Sequence, residues 1–256
     1  MEEKSFDGRI ALVTGATSGF GWATARRLIE GGARVIATGR RAERLSALED
    51  EAGTDRLRTV QLDMMDTDAV DGFPATLGED WQPDILVNNA GLALGLAGAA
   101  EADLAHWDQM IATNIKGLVH MTRAVLPRMK TLPRADVINI SSIAGTYPYP
   151  GGNVYGGTKA FVTQFSLNLR ADLLGTKVRV TSVEPGMADT EFSLTRFEGD
   201  RAKADKVYEG TQSMTGEDIA RVIADILALP PHLNVNRIEV MSIDQAFSPF
   251  AVHREA

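Results

Sequence analysis

Seven short apolar runs recur along the chain, near residues 9–14, 33–38, 57–62, 84–88, 135–141, 177–183 and 236–241, with helical patterns between them. Strands that alternate with helices are joined by crossovers, and crossovers set neighbouring strands parallel. A parallel sheet is covered on both faces, so its strands read as nearly continuous apolar runs. Asp84-Ile85-Leu86-Val87 and Asp136-Val137-Ile138-Asn139-Ile140 meet that expectation. The expected fold class is therefore α/β, a doubly wound parallel sheet of about seven strands with helices on both faces. With 256 residues, 44% of them hydrophobic, the chain can bury one large core, and a single domain over 1–256 is expected.

One interval breaks the pattern. Residues 187–214 follow the sixth run, are rich in Glu, Asp, Lys and Arg, and have a poorer hydrophobic pattern. This stretch is the candidate for a mobile substrate lid. The net charge of -8 supplies no basic footprint, which argues against nucleic acid or an anionic membrane as partner. With no cysteine, thiol catalysis, thiolate metal sites and disulfides are excluded. The N-terminus MEEKSFDGR has no signal-peptide pattern and no apolar run approaches a bilayer span, so a cytoplasmic enzyme is the default expectation. His106, His120, His232 and His253 lack metal-ligand spacing, and no metal site is expected. Asp66 and Asp68 sit where a helix starts, and no chemistry is assigned to them.

Two motifs carry chemistry. The first run leads into TGATSGFG at 14–21, read as strand, tight turn, helix. Glycines there allow positive φ and let backbone N–H groups approach a pyrophosphate, while the helix offers its positive end. The spacing of Gly15, Gly19 and Gly21 is G-x-x-x-G-x-G, which departs from the G-x-G-x-x-G dinucleotide fingerprint. The second motif is Tyr155-Gly156-Gly157-Thr158-Lys159, with a phenol and an ammonium one helical turn apart on a shared face. A lysine charge there is expected to lower the tyrosine pKa and make the phenol an acid or base near neutrality.

In this order, about 140 residues apart, the two motifs resemble the short-chain dehydrogenase/reductase family, with its Rossmann-type fold, over nearly the whole chain. NNAG at 88–91, Asn114 in TNIKG, Ser142 thirteen residues before Tyr155, and Pro185-Gly186 are further landmarks. The resemblance implies an enzyme that moves a hydride between a nicotinamide and a CH–OH group. It implies that Tyr155 is the acid or base, that Ser142 orients the substrate oxygen, that Lys159 also binds the nicotinamide ribose, and that Asn114 supports a water-linked proton path. Cofactor contacts are then expected at Gly15, Thr17, Ser18, Gly19, Phe20, Gly21, Asn89, Ala90, Gly91, Tyr155, Lys159, Pro185 and Gly186. Ser141 is read as structural. Asp63 resembles the family's adenine-contacting position, with helix capping near Met64 and Met65 as the alternative.

Cofactor choice follows from VIATGRR at the end of the second run. An acidic residue there would bind a ribose diol. Gly39 is instead followed by Arg40 and Arg41, which can grip a 2′-phosphate, so NADP is expected; the alternative is that they begin the next helix as solvated charges.

Longer segments, including GGNVYGGTKAFVTQFSLNLRADL at 151–173 and TEFSLTRFEGD at 190–200, resemble the NADP-dependent 3-hydroxy acid dehydrogenases. That subgroup, with serine 3-dehydrogenase and malonic semialdehyde reductase activities, implies a small 3-hydroxy acid substrate such as serine, allo-threonine or 3-hydroxypropionate. It also implies a homotetramer, with the helical stretches near 103–130 and 155–174 as contact helices or core. A small acid needs a carboxylate anchor, and Arg196, between Phe192 and Phe197 in the proposed lid, is the candidate, unless it faces solvent. Asn153 either lines the same pocket or serves a turn beside Gly151 and Gly152. The rivals are a carbonyl or 3-oxoacyl reductase of the same fold and, more remotely, a non-enzymatic NADP-binding sensor.

Overall fold

The computed structural model describes residues 5–246. The chain runs β1 (Ile10–Thr14), α1 (Gly19–Glu30), β2 (Arg34–Gly39), α2 (Ala42–Ala52), β3 (Leu57–Gln61), α3 (Thr67–Gly72) and β4 (Ile85–Asn88). It continues through α4 (Leu104–Ile111), a π-helical segment (Ala112–Gly117), α5 (Leu118–Met129), β5 (Ala135–Ile140), α6 (Asn153–Asp172) and β6 (Val178–Pro185). The last part holds β7 (Ala188–Asp189), α7 (Glu191–Arg196), α8 (Arg201–Lys206), β8 (Met214–Thr215), α9 (Gly216–Ala228) and β9 (Arg237–Val240).

Seven strands form one parallel sheet in the order β3-β2-β1-β4-β5-β6-β9, as the seven apolar runs predict. Its central strands are buried on both faces; β1, β4, β5 and β6 carry no exposed residue. Leu28 of α1, Leu48 of α2 and Ile219 and Ile223 of α9 share one core with Val13 and Val35. On the other face Val70, Met121, Val125 and Leu169, from α3, α5 and α6, meet Leu12 and Leu86. At the amino ends, Asp136 receives Arg9 and Arg179 at 2.8 and 2.5 Å, and Arg9 also reaches Asp84 at 2.6 Å, joining four strands by buried charge.

Strand order reverses between β1 and β4, and the carboxyl ends of strands at such a switch point leave a crevice between the departing loops. The glycine turn leaves β1 there and NNAG leaves β4 there. The interval 187–214 is not irregular. Its ends are clipped together by the two-stranded parallel pair β7–β8, Ala188 against Met214 and Asp189 against Thr215, and α7 and α8 lie between them. The period-2 and period-3.6 patterns could not reveal this, because two-residue strands and six-residue helices are shorter than either pattern needs.

Candidate active site

The crevice opens into a cleft of about 440 Å³ lined from both sides of the switch point. Gly15 at φ 67° turns the chain out of β1. A Cβ on it would stand 2.8 Å from Ala90 Cα, so the turn and the NNAG backbone pack with no room for a side chain. Thr14 Oγ1 accepts the N–H groups of Asn89 and Ala90 at 3.1 and 3.0 Å, and Asn89 Nδ2 donates to the carbonyls of Thr14 and Gly15. Gly15, Thr17, Ser18, Gly19, Phe20, Asn89, Ala90, Gly91, Pro185 and Gly186 all line the cleft. Gly21 does not. A Cβ there would strike Asn89 Nδ2 and the Gly15 carbonyl, so this glycine lets α1 seat under the turn rather than facing a ligand.

Arg40 and Arg41 both line the cleft mouth but differ in partners. The Arg40 guanidinium is exposed and makes no hydrogen bond or ion pair among the described residues. Arg41 donates to the Thr17 carbonyl at 3.1 Å and to Thr17 Oγ1, and pairs with Glu191 at 2.8 Å. Its backbone is also the N-cap of α2, where the helix-start alternative puts it, but its charge is paired and not merely solvated. Asp63 lines the cleft while its Oδ1 accepts the Met65 N–H at 3.0 Å. The cap of α3 is Asp66, which accepts from Ala69, with Asp68 in its first turn, as the helix-start reading expects.

Helix α6 begins at Asn153 and carries Tyr155 and Lys159 on its buried side, under Ser142 at the end of β5. Ser142 Oγ accepts the Ala144 N–H at 3.1 Å and donates to the Pro185 carbonyl at 3.3 Å. Ser141 turns away, donating to the Lys159 carbonyl and bonding Thr163, both at 2.8 Å, which is the structural role expected of it. Asn114 is buried in the π-helical segment, and its amide is spent on Leu92 N–H and C=O and on Thr158 Oγ1. Thr113 beside it lines the cleft; Asn114 does not.

The electrostatics depart from the sequence expectation. Burial pushes the Tyr155 phenol up to about 12, against downward pulls from the Arg196 charge and a hydrogen bond with Ser142. Lys159 is not the cation that opposes the rise. Its own ammonium is lowered to about 8 by burial, it donates to the Ile140 carbonyl at 2.8 Å, and it stands 5.8 Å from the tyrosine ring centre. The i, i+4 spacing places both groups on one face, but the lysine reaches past the ring to the strand end.

Arg196 faces inward. Its guanidinium lies 5.1, 5.3 and 5.7 Å from the ring centres of Tyr155, Phe192 and Tyr149, and Nη2 donates to Tyr149 Oη at 2.8 Å. Its Nε is buried without a hydrogen-bond partner among the described residues. Asn153, by contrast, is exposed and absent from the cleft lining. It donates to the Ala97 carbonyl at 3.2 Å and accepts the Val154 N–H, bonds that tie it to the turn at the start of α6. Sequence reasoning missed Tyr149 and Glu191; the aromatic spacing of Tyr147 and Tyr149 before the glycine pair was the available signal for the first. His106 and His120 pair with Glu198 and Asp71, and His253 lies outside the described residues.

Residues 9–201 match the family model described as short chain dehydrogenase. The chain is 56% identical over 247 residues to NADP-dependent 3-hydroxy acid dehydrogenase YdfG of Salmonella typhi, covering 96% of this chain and 99% of that protein. It is 50% identical over 246 residues to serine 3-dehydrogenase of Agrobacterium fabrum (strain C58), covering 96% and 98%. A solved structure, the closed form of serine dehydrogenase complexed with NADP+, superposes with a TM-score of 0.94 at 53% identity, covering 96% of this chain and all of that one. Family match, sequence identity and superposition agree, and the chain belongs to the short-chain dehydrogenase family.

Proposed function

We propose that this protein is an NADP-dependent oxidoreductase acting at the C3 hydroxyl or carbonyl of a small 3-hydroxy acid. The observation that carries the substrate class is Arg196, a guanidinium inside an aromatic box beside Tyr155 with a buried, unpartnered Nε. A buried donor without an acceptor is costly, and a substrate carboxylate supplies the missing one. Similarity to the two dehydrogenases above supports the same reading.

The cleft residues fit NADP. Gly15 and Gly19, both at positive φ, line the cleft where a pyrophosphate would lie, and among the described residues Thr113 Oγ1 is buried without a partner and Arg40 is a cation free for a 2′-phosphate. When bound, the nicotinamide accepts or delivers the hydride. Every other task falls to this chain. Tyr155, protonated at neutral pH because its phenol stands at about 12, donates its proton to the carbonyl oxygen in reduction. In oxidation the same oxygen takes the hydroxyl proton as the phenolate, the form that Arg196 and Ser142 favour. Ser142 holds the substrate oxygen, Lys159 binds the ribose, and Asn114 keeps the chain after β4 in place through Leu92. Residues 187–214 act as a lid that carries Phe192 and Arg196 over the tyrosine and excludes water.

A homotetramer completes the proposal. Leu104 and Ile111 on α4 and Phe161 on α6 are exposed apolar groups that assembly would cover.

The test is Arg196→Ala. KM for L-serine should rise roughly 30-fold, the equivalent of about 2 kcal/mol for a charged hydrogen bond, with KM for a neutral secondary alcohol little changed. An unchanged KM for serine would remove Arg196 as the anchor.

A further inference from the structure

Helix α7 is only six residues long, and both its ends are engaged by side chains from outside the lid. At the first residue, Glu191 Oε2 lies 2.8 Å from Arg41 Nη1 and Oε1 lies 2.7 Å from Arg44 Nη2. Both arginines stand at the start of α2, across the cleft mouth. At the last residue, Arg196 reaches Tyr149 and lies over Tyr155. Arg41 is further held by Thr17, through Nε and Nη2, whereas Arg40 next to it is held by nothing among the described residues. The two neighbouring arginines therefore divide. Arg40 is free for a phosphate, and Arg41 is a fixed post on the glycine turn.

We propose that Glu191 is a positioning residue for the reaction: by bridging Arg41 and Arg44 it fixes α7, and with it Phe192 and Arg196, over Tyr155. A six-residue helix moves as a unit, so the ionic bridge at one end and the inward guanidinium at the other shift together. The Arg196 half of this inference rests on the function proposed above. The nucleotide half does not, since a lid latched across the cleft mouth hinders escape of any nicotinamide nucleotide whatever the alcohol. Because the bridge acts on the lid and not on the 2′-phosphate, it must slow NADPH and NADH alike.

The experiment follows the fluorescence of NADPH, and separately of NADH, as each is chased from the protein by excess oxidised nucleotide. In Glu191→Gln both release rates rise about fivefold, the scale of two partly exposed ion pairs. KM for L-serine rises alongside. Added salt speeds NADH release from the wild-type protein more than from the variant, because screening weakens exposed pairs and the variant has lost them. Unchanged release rates, acceleration confined to NADPH, or equal salt responses would each overturn the proposal. Acceleration of NADPH alone would mean that Glu191 acts by orienting Arg41 or Arg44 toward the 2′-phosphate and not through the lid. Failure of the 3-hydroxy acid reading is separately visible, as a wild-type protein that releases nucleotide as described but turns over no such acid.

Discussion

On the sheet side of the cleft, the side chains of Thr14 and Asn89, rooted at two strand ends, hold backbone N–H and C=O groups of Thr14, Gly15, Asn89 and Ala90 at 2.9 to 3.1 Å. On the lid side, Glu191, Phe192 and Arg196 are held by side chains: two ion pairs with α2, ring packing at 5.6 Å between Phe192 and Tyr155, and one hydrogen bond to Tyr149. Bonds from Thr14 and Asn89 to the backbone of strand ends cannot rearrange without disturbing the sheet, whereas clasps between partly exposed side chains open for little free energy. Under the proposed function the cleft pairs a rigid nucleotide floor with a roof that opens, which suits a reaction needing both a fixed cofactor and substrate exchange.

The sharpest way to break this division is at Tyr155, which the floor supports and the roof covers. Tyr155→Phe should lower turnover about a thousandfold, the scale of a lost general acid or base, while NADPH affinity, measured by fluorescence titration, stays within a few-fold. Retained turnover would mean that some other group moves the proton.

Next in size is Lys159, buried on the floor with its pKa brought down from 10.5 to about 8. Between those values the unfolded chain holds a proton that the native chain lacks, so this group makes stability rise with pH from about 8 to 10.5 and imposes its full penalty below 8. Relative to Lys159→Met, the wild-type protein should gain up to about 3 kcal/mol across that window. Urea melts of both proteins at pH 7.5 and 10 measure it, and parallel pH responses would show that the lysine is not desolvated.

Smaller still is the cleft mouth. Arg40→Asp should weaken NADPH relative to NADH by about tenfold, since one free guanidinium is replaced by a like charge facing the phosphate. Equal losses for the two nucleotides would shift phosphate recognition to Arg41 and with it weaken the contrast between a fixed post and a free cation.

The same contrast explains what the sequence disclosed. The inner strands were legible because burial on both faces forces continuous apolar runs, the edge strands β3 and β9, only partly buried, were legible from their place in the strand–helix alternation, and the glycine turn was legible because Gly15 must adopt positive φ against a neighbouring backbone. The lid's internal structure was not. Its key pair, Arg41 and Glu191, is 150 residues apart and follows no periodicity. Asn153 stayed open between pocket and turn because proximity to Tyr155 along a helix start says nothing about which way a residue at the first turn points; its amide faces Ala97. The lysine–tyrosine pairing misled for a related reason: spacing gives a shared face, but desolvation, which spacing does not encode, dominates both pKa values.

The measurement that bears most directly on the whole account is the absorbance of reduced nicotinamide with L-serine, D-serine, L-allo-threonine, 3-hydroxypropionate and a neutral secondary alcohol, each with NADP and with NAD. Turnover of the 3-hydroxy acids with NADP, and little with NAD or with the neutral alcohol, is the predicted result. Turnover of the neutral alcohol alone would contradict it, leaving the Tyr155 chemistry in place but removing the carboxylate from the aromatic box and making the protein a carbonyl reductase.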